Sequence, residues 1–105
     1  FQAMGIALTG CLVAAPEALA MGMVSEVVSD ERTVSRALEL AAEIAALPPL
    51  AVAQIKEVML LGADLPLDSA LALERKAFQL LFDSRDQKEG ATAFLEKRKA
   101  TFSGE

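Results

Sequence analysis

The chain has no histidine, no tryptophan, no tyrosine and one cysteine in 105 residues. Without histidine it cannot by itself assemble a Ser-His-Asp or Cys-His nucleophile. Histidine-containing metal sites are excluded as well, and one thiol supports neither a zinc cluster nor a disulfide framework. Cys11 therefore reads as a small residue filling a packed corner, compatible with a reducing, cytoplasmic setting. No uncharged apolar run reaches 18 residues, so no membrane-spanning helix is expected. The six glycines are scattered and form neither a G-x-G-x-x-G nor a Walker A loop. Basic residues are also few: ten Lys and Arg against fifteen Asp and Glu give a net charge of −5. A nucleic-acid binder normally carries a dominant basic face, and here the only dense basic cluster is Lys97-Arg98-Lys99.

What is abundant is apolar: 53% of the residues are hydrophobic, much of that share alanine, and the mean hydropathy is +0.37. For a chain no longer than one domain this is more apolar surface than a free-standing helical unit needs, and it implies burial against something else. The chain opens on Phe1 within a helical stretch, which suggests a fragment.

The reading along the chain is mostly α. Phe1–Leu8 has the character of the last turns of a helix, stopped at Thr9-Gly10 by a glycine suited to the left-handed cap. Residues 11–14 are extended, and Pro16 opens a short helix that Gly22 ends. Met23–Val28 is rich in β-branched residues and is expected to form one short strand. Asp30, followed by Glu31, is the expected cap of a helix reaching about Leu47, with Val34, Leu38, Ala41, Ala42, Ala45 and Leu47 along its apolar stripe. Pro48-Pro49 breaks it. A further helix carries Val52, Ile55, Val58 and Met59 to Gly62, and another carries Leu67, Ala70, Leu71, Ala77, Phe78, Leu81 and Phe82. Ser84 and Gln87 have the spacing of a capping box for a final helix running to about Lys99. Gly5 and Gly90 lie inside helical stretches, where glycine costs about 1 kcal/mol against alanine. Each is expected to permit a close packing contact.

The residues offer little chemistry of their own. The carboxylates Glu31, Glu39, Glu43, Glu57, Glu74, Glu89 and Glu96 fall on polar helix faces, where solvation and local ion pairs account for them. Lys97-Arg98-Lys99 has two readings. Cations at a helix end complement its dipole, but they also suit an anionic ligand. Phe94, one helical turn before Lys97, would add an aromatic surface beside that charge. Phe78 and Phe82, four apart, form a stripe more typical of a core.

Two groups of motifs lie in order along this chain. Near the start stand Leu8-Thr9-Gly10, Pro16-Glu17-Ala18-Leu19 and Gly22-Met23-Val24-Ser25-Glu26-Val27-Val28. Near the end stand Glu89-Gly90, Ala93-Phe94 and Glu96-Lys97-Arg98-Lys99, closed by Phe102. With the Ile44-Ala45…Pro48-Pro49…Ala51-Val52…Lys56 segment between them, they resemble the C-terminal region of the crotonase (enoyl-CoA hydratase/isomerase) family. The sequence departs from the family pattern at Cys11–Pro16, where many relatives carry an Arg or a Ser-Ala-x-Glu pattern.

The resemblance implies the C-terminal helical region of a crotonase-like α/β fold, with residues 1–29 ending the core and residues 30–105 forming an oligomerisation or lid region. It implies an acyl-CoA thioester as substrate, no separate cofactor and no metal. The oxyanion-hole amides and water-activating glutamates of the family lie upstream of Leu8-Thr9-Gly10, so this chain has no catalytic residue and is expected to be inactive alone. A homo-trimer or dimer of trimers is implied for the full-length protein, with no nucleic-acid or membrane partner. Matched by motif, Lys97, Phe94 and Phe78 are the candidate substrate-binding residues, near the adenine and ribose-phosphate end of CoA. Two other readings stand beside this one: a stand-alone helical interaction module without catalysis, and acyl-CoA binding without turnover through Phe94 and Lys97.

Overall fold

The computed structural model describes all residues from Phe1 to Glu105 and contains six α-helices and one 3-10 turn. It divides into two compact units, Phe1–Leu38 and Glu39–Glu105.

In the first unit, α1 (Gln2–Thr9) ends where the sequence places its stop. Gly10 takes the left-handed conformation, φ 64°, and its N–H closes on the Ile6 carbonyl at 2.9 Å. Pro16 lies in the first turn of α2 (Ala15–Ala20). Gly22, φ 74°, reverses the chain after α2, and the N–H groups of Gly22 and Met23 return to the carbonyls of Leu19 and Ala18. This is the paired closure of a Schellman motif, which requires a residue that tolerates positive φ.

Met23–Val28 forms no strand, which corrects the β reading of this segment. β-branched composition favours an extended backbone, but a strand exists only where a neighbour completes its hydrogen-bond ladder. The helix start is also shifted. Ser29, not Asp30, holds the extended capping position, and Asp30–Arg32 forms a 3-10 turn before α3 (Thr33–Ala45). The Glu31 carboxylate accepts from its own backbone N–H and from the Ser29 hydroxyl, which holds its pKa below the usual carboxylate value. Arg36 donates to both oxygens of Glu26 at 3.0 and 3.1 Å, tying α3 to the preceding loop.

The second unit contains α4 (Pro49–Gly62), α5 (Leu67–Leu81) and α6 (Arg85–Glu96). Pro49 is the first residue of α4, a position where a missing N–H costs nothing. The principal helix pair is α4 against α5. A Cβ built on Gly62 would meet the Ala70 Cβ at 3.6 Å, so the two helices approach closely there. Phe78 and Phe82 meet edge to face with centroids 5.1 Å apart, as their spacing predicts.

The core is small. The buried hydrophobic residues are Ala77 and Ala93, and Val34, Leu38, Ile55, Met59, Leu67 and Phe82 remain exposed along the apolar stripes. The chain exposes 8655 Å², against about 5,700 Å² for a folded monomer of its mass. The amphipathic pattern is thus clear in α3, α5 and α6 and weak in α4, which is apolar on most sides, and the apolar surface of these helices is largely uncovered within this chain.

Candidate functional site

Helix α6 and the segment that follows it carry an extended polar network. Ser84 caps α6 as its spacing predicts: its Oγ accepts from the Gln87 N–H at 3.1 Å and donates to the Leu81 carbonyl at 2.7 Å. The other first-turn N–H groups find a partner from the far end of the segment. The main-chain oxygen of Glu105 accepts from Arg85 N–H at 2.6 Å and from Asp86 N–H at 3.3 Å. The Arg85 guanidinium pairs with the Glu105 carboxylate. Residues 98–105 therefore run back along α6 and cap its N-terminal end, where unpaired donors would otherwise need water.

Two carboxylates on α6 hold this return segment. Asp86 is 3% exposed and accepts from the N–H groups of Ser103 at 2.7 Å and Gly104 at 2.9 Å. Glu89 accepts from Thr101 N–H at 2.9 Å and receives a forked pair from Arg98 at 2.6 and 2.8 Å. The Arg98 hydrogen bonds, then the Thr101 N–H, depress the Glu89 pKa from the ordinary 4.5 to about 2. Its partnership with Glu89 and Glu96 raises the Arg98 pKa in turn. The Phe102 ring lies over Gly90, but a Cβ there would sit 3.6 Å from it, an ordinary van der Waals distance, so the contact does not require the glycine. Gly5 has no such neighbour within this chain.

A lowered folded-state pKa stabilises the fold when the group is ionised. The Glu89 contribution is therefore complete above pH 4.5 and lost as pH falls from there toward about 2. An NMR titration of the folded protein is expected to leave the Thr101 amide resonance flat down to pH 4.5 and to move it only as pH approaches about 2. A midpoint at the ordinary carboxylate value would contradict the clamp.

Helix α6 ends at Glu96, short of the expected Lys99. Lys97 adopts the left-handed conformation, φ 55° and ψ 36°, the one non-glycine residue of the chain with positive φ. Its N–H bonds the Phe94 carbonyl at 3.3 Å, and that of Arg98 bonds the Ala93 carbonyl at 3.0 Å. This is again a Schellman closure, with lysine where glycine is usual. The helix stops here because the N–H groups beyond it are taken by Asp86 and Glu89, an arrangement a continuing helix would not allow. Lys97-Arg98-Lys99 consequently lies beyond the last turn, and the argument that placed Phe94 and Lys97 on one helical face by spacing does not apply.

The three candidate binding residues occupy two places in this unit. Phe94 is 83% exposed near the end of α6, and Lys97 is exposed in the turn three residues later. Phe78 lies on α5, where it lines an open apolar groove of about 210 Å³ with Ile55, Val58, Met59, Ala77 and Leu81. Neither Phe94 nor Lys97 lines that groove. Its volume falls below the roughly 300–1,000 Å³ of ligand pockets, and its lining suits an apolar surface better than a nucleotide. Asp86, the buried carboxylate, is fully engaged as an acceptor and is not placed for proton transfer. Sequence reasoning left Asp86 unremarked and gave Glu89 only a solvated role.

The family assignment follows from comparison with known proteins. The enoyl-CoA hydratase/isomerase family model matches residues 1–105, and the chain belongs to that family. Over 102 residues it is 38% identical to the (E)-benzylidenesuccinyl-CoA hydratase of Thauera aromatica, covering 97% of this chain and 40% of that protein. The crotonyl-CoA hydratase of Syntrophomonas wolfei is 40% identical over 94 residues, covering 90% of this chain and 36% of the relative. Among solved structures, an enoyl-CoA hydratase subunit from Geobacillus kaustophilus superposes with a TM-score of 0.88 at 47% identity, covering 92% of this chain and 38% of that one. The chain thus spans about two fifths of the length of the relatives it matches. The fold is the helical region of a crotonase-like protein.

Proposed function

We propose that this chain works as the C-terminal part of an acyl-CoA enzyme of the enoyl-CoA hydratase/isomerase type. In this reading residues 1–29 close the catalytic core, and residues 30–105 form a helical region that packs subunits together and meets the CoA moiety of the substrate. The observation that carries it is the uncovered apolar face of every long helix in a chain that matches its family from end to end. Those faces suit a larger core or a neighbouring subunit of a trimer or dimer of trimers. The reacting groups, two carboxylates that activate water and two N–H donors for the thioester oxyanion, belong to the portion of the fold this chain does not span. The thioester itself is the substrate, and no further cofactor is invoked. A cytoplasmic setting fits this chemistry.

The CoA contact is assigned to Phe94, Lys97 and Phe78. Support for it is that both the Phe94 ring and the Lys97 side chain are exposed at the end of α6, chemistry that suits a purine and a phosphate. Phe78, at the α4–α5 groove, has the weaker claim on geometry. Calorimetry of free coenzyme A with the full-length polypeptide is the test. Lys97→Ala is expected to weaken binding about tenfold, the worth of a charge-assisted hydrogen bond. Phe94→Ala is expected to weaken it less and to leave the fold intact, since the ring has little packing to lose. Unchanged affinity in Lys97→Ala would overturn the assignment.

A further inference from the structure

The Lys97 backbone occupies a conformation that costs a lysine roughly 1–2 kcal/mol and a glycine almost nothing. Strain of this kind persists only where its surroundings hold it in place. On the helical side, the Schellman hydrogen bonds of Lys97 and Arg98 close onto Phe94 and Ala93. On the other side, the two tethers nearest Lys97 lead to one residue. Arg98 reaches back nine positions to grip Glu89 with two nitrogens, and Thr101 N–H bonds the same carboxylate.

The same arrangement sorts charge. Arg98 Nε also takes Glu96 at 2.6 Å. The carboxylate directly before Lys97 is therefore engaged by Arg98. Lys97 is exposed and makes no ion pair, while Glu89 and Glu96 are both engaged by Arg98. A planar guanidinium with forked donors can serve two carboxylates in this way, which a lysine at the same position could not.

We infer that Glu89 and Arg98 are positioning residues for Lys97, holding its backbone in the left-handed turn and keeping its ammonium free for a phosphate of the CoA nucleotide. This rests on the assignment of Lys97 to CoA binding given above. It adds a role for two residues that need not touch the ligand.

The test is a double-mutant cycle in the full-length polypeptide, read by calorimetry with free coenzyme A. Glu89→Gln is expected to weaken binding about three- to tenfold, while in a Lys97→Ala background it causes no further loss. A role limited to general stability would lower affinity in both backgrounds, so additivity overturns the inference. If Lys97→Ala weakens binding and Glu89→Gln does not, the inference fails and the CoA assignment stands. If Lys97→Ala is itself silent, the assignment fails and takes the inference with it. Arg98→Lys, which keeps the charge but loses the fork, replaces Glu89→Gln should that variant not fold, and the same outcomes apply.

Discussion

Purified alone, residues 1–105 are expected to melt without a cooperative transition, to bind a hydrophobic dye such as ANS and to hydrate crotonyl-CoA no faster than buffer. The physical argument is one of burial. Cooperative folding needs apolar area removed from water, at about 25 cal/mol per Å², to offset the conformational entropy of ordering each residue. Here the buried hydrophobic residues are two alanines, and the leucines, isoleucines and phenylalanines of the apolar stripes remain largely exposed. Helices of twelve to fifteen residues such as α3 to α6 are marginal by themselves in water. The catalytic expectation has a separate basis. The chain's one buried carboxylate, Asp86, is occupied by the N–H groups of Ser103 and Gly104. A monomer in sedimentation with a sharp calorimetric melt would overturn the burial argument and favour a self-sufficient interaction module. Turnover well above buffer would overturn the assignment of the reacting groups to the portion of the fold this chain does not span.

Much of the helical layout was legible in the sequence because its punctuation is local. Gly10 and Gly22 occupy left-handed turns, Pro16 and Pro49 open helices, and Ser84 caps α6, each as its residue type dictates. Local signals failed where a distant partner decides the outcome. The β-branched run Met23–Val28 found no neighbouring strand and stayed irregular. The helical pattern through Lys99 was overridden at Lys97, because Asp86 and Glu89 draw the following segment back along α6. Neither carboxylate could be recognised as an anchor from spacing, since Asp86 is met by backbone N–H groups seventeen and eighteen residues away and Glu89 by the Arg98 guanidinium nine residues on and the Thr101 N–H twelve residues on. Of the three candidate binding residues, Phe78 came from family resemblance alone, and Phe94 and Lys97 from resemblance together with an aromatic ring placed beside a basic cluster. What the geometry adds is their separation, with Phe78 at an apolar groove and Phe94 and Lys97 at the end of α6.

The return segment makes the second large effect local and measurable. Asp86→Ala is expected to release residues 101–105 from α6, at a cost of about 2–3 kcal/mol. The carboxylate is 3% exposed and accepts two main-chain N–H groups, so its loss leaves both donors without a partner in a site that water reaches poorly. It also removes a negative charge from the first turn of α6, where the helix dipole favours one. The consequences extend to the helix start, because the Glu105 oxygen that caps Arg85 and Asp86 is carried by the same segment. In the full-length polypeptide, hydrogen exchange at Ser103 and Gly104 is expected to accelerate by about 30- to 150-fold, the factor this energy implies. Asp86→Asn, which keeps one acceptor oxygen, should fall between the two. Lys88→Gln breaks an exposed pair with Asp83 in the turn before α6 and should change exchange at these amides little. Equal effects from Asp86→Ala and Lys88→Gln would mean that the segment is held by something other than the buried carboxylate. A large effect confined to Asp86→Ala would make this one side chain the anchor of residues 103–105 and of the cap they place on the start of α6.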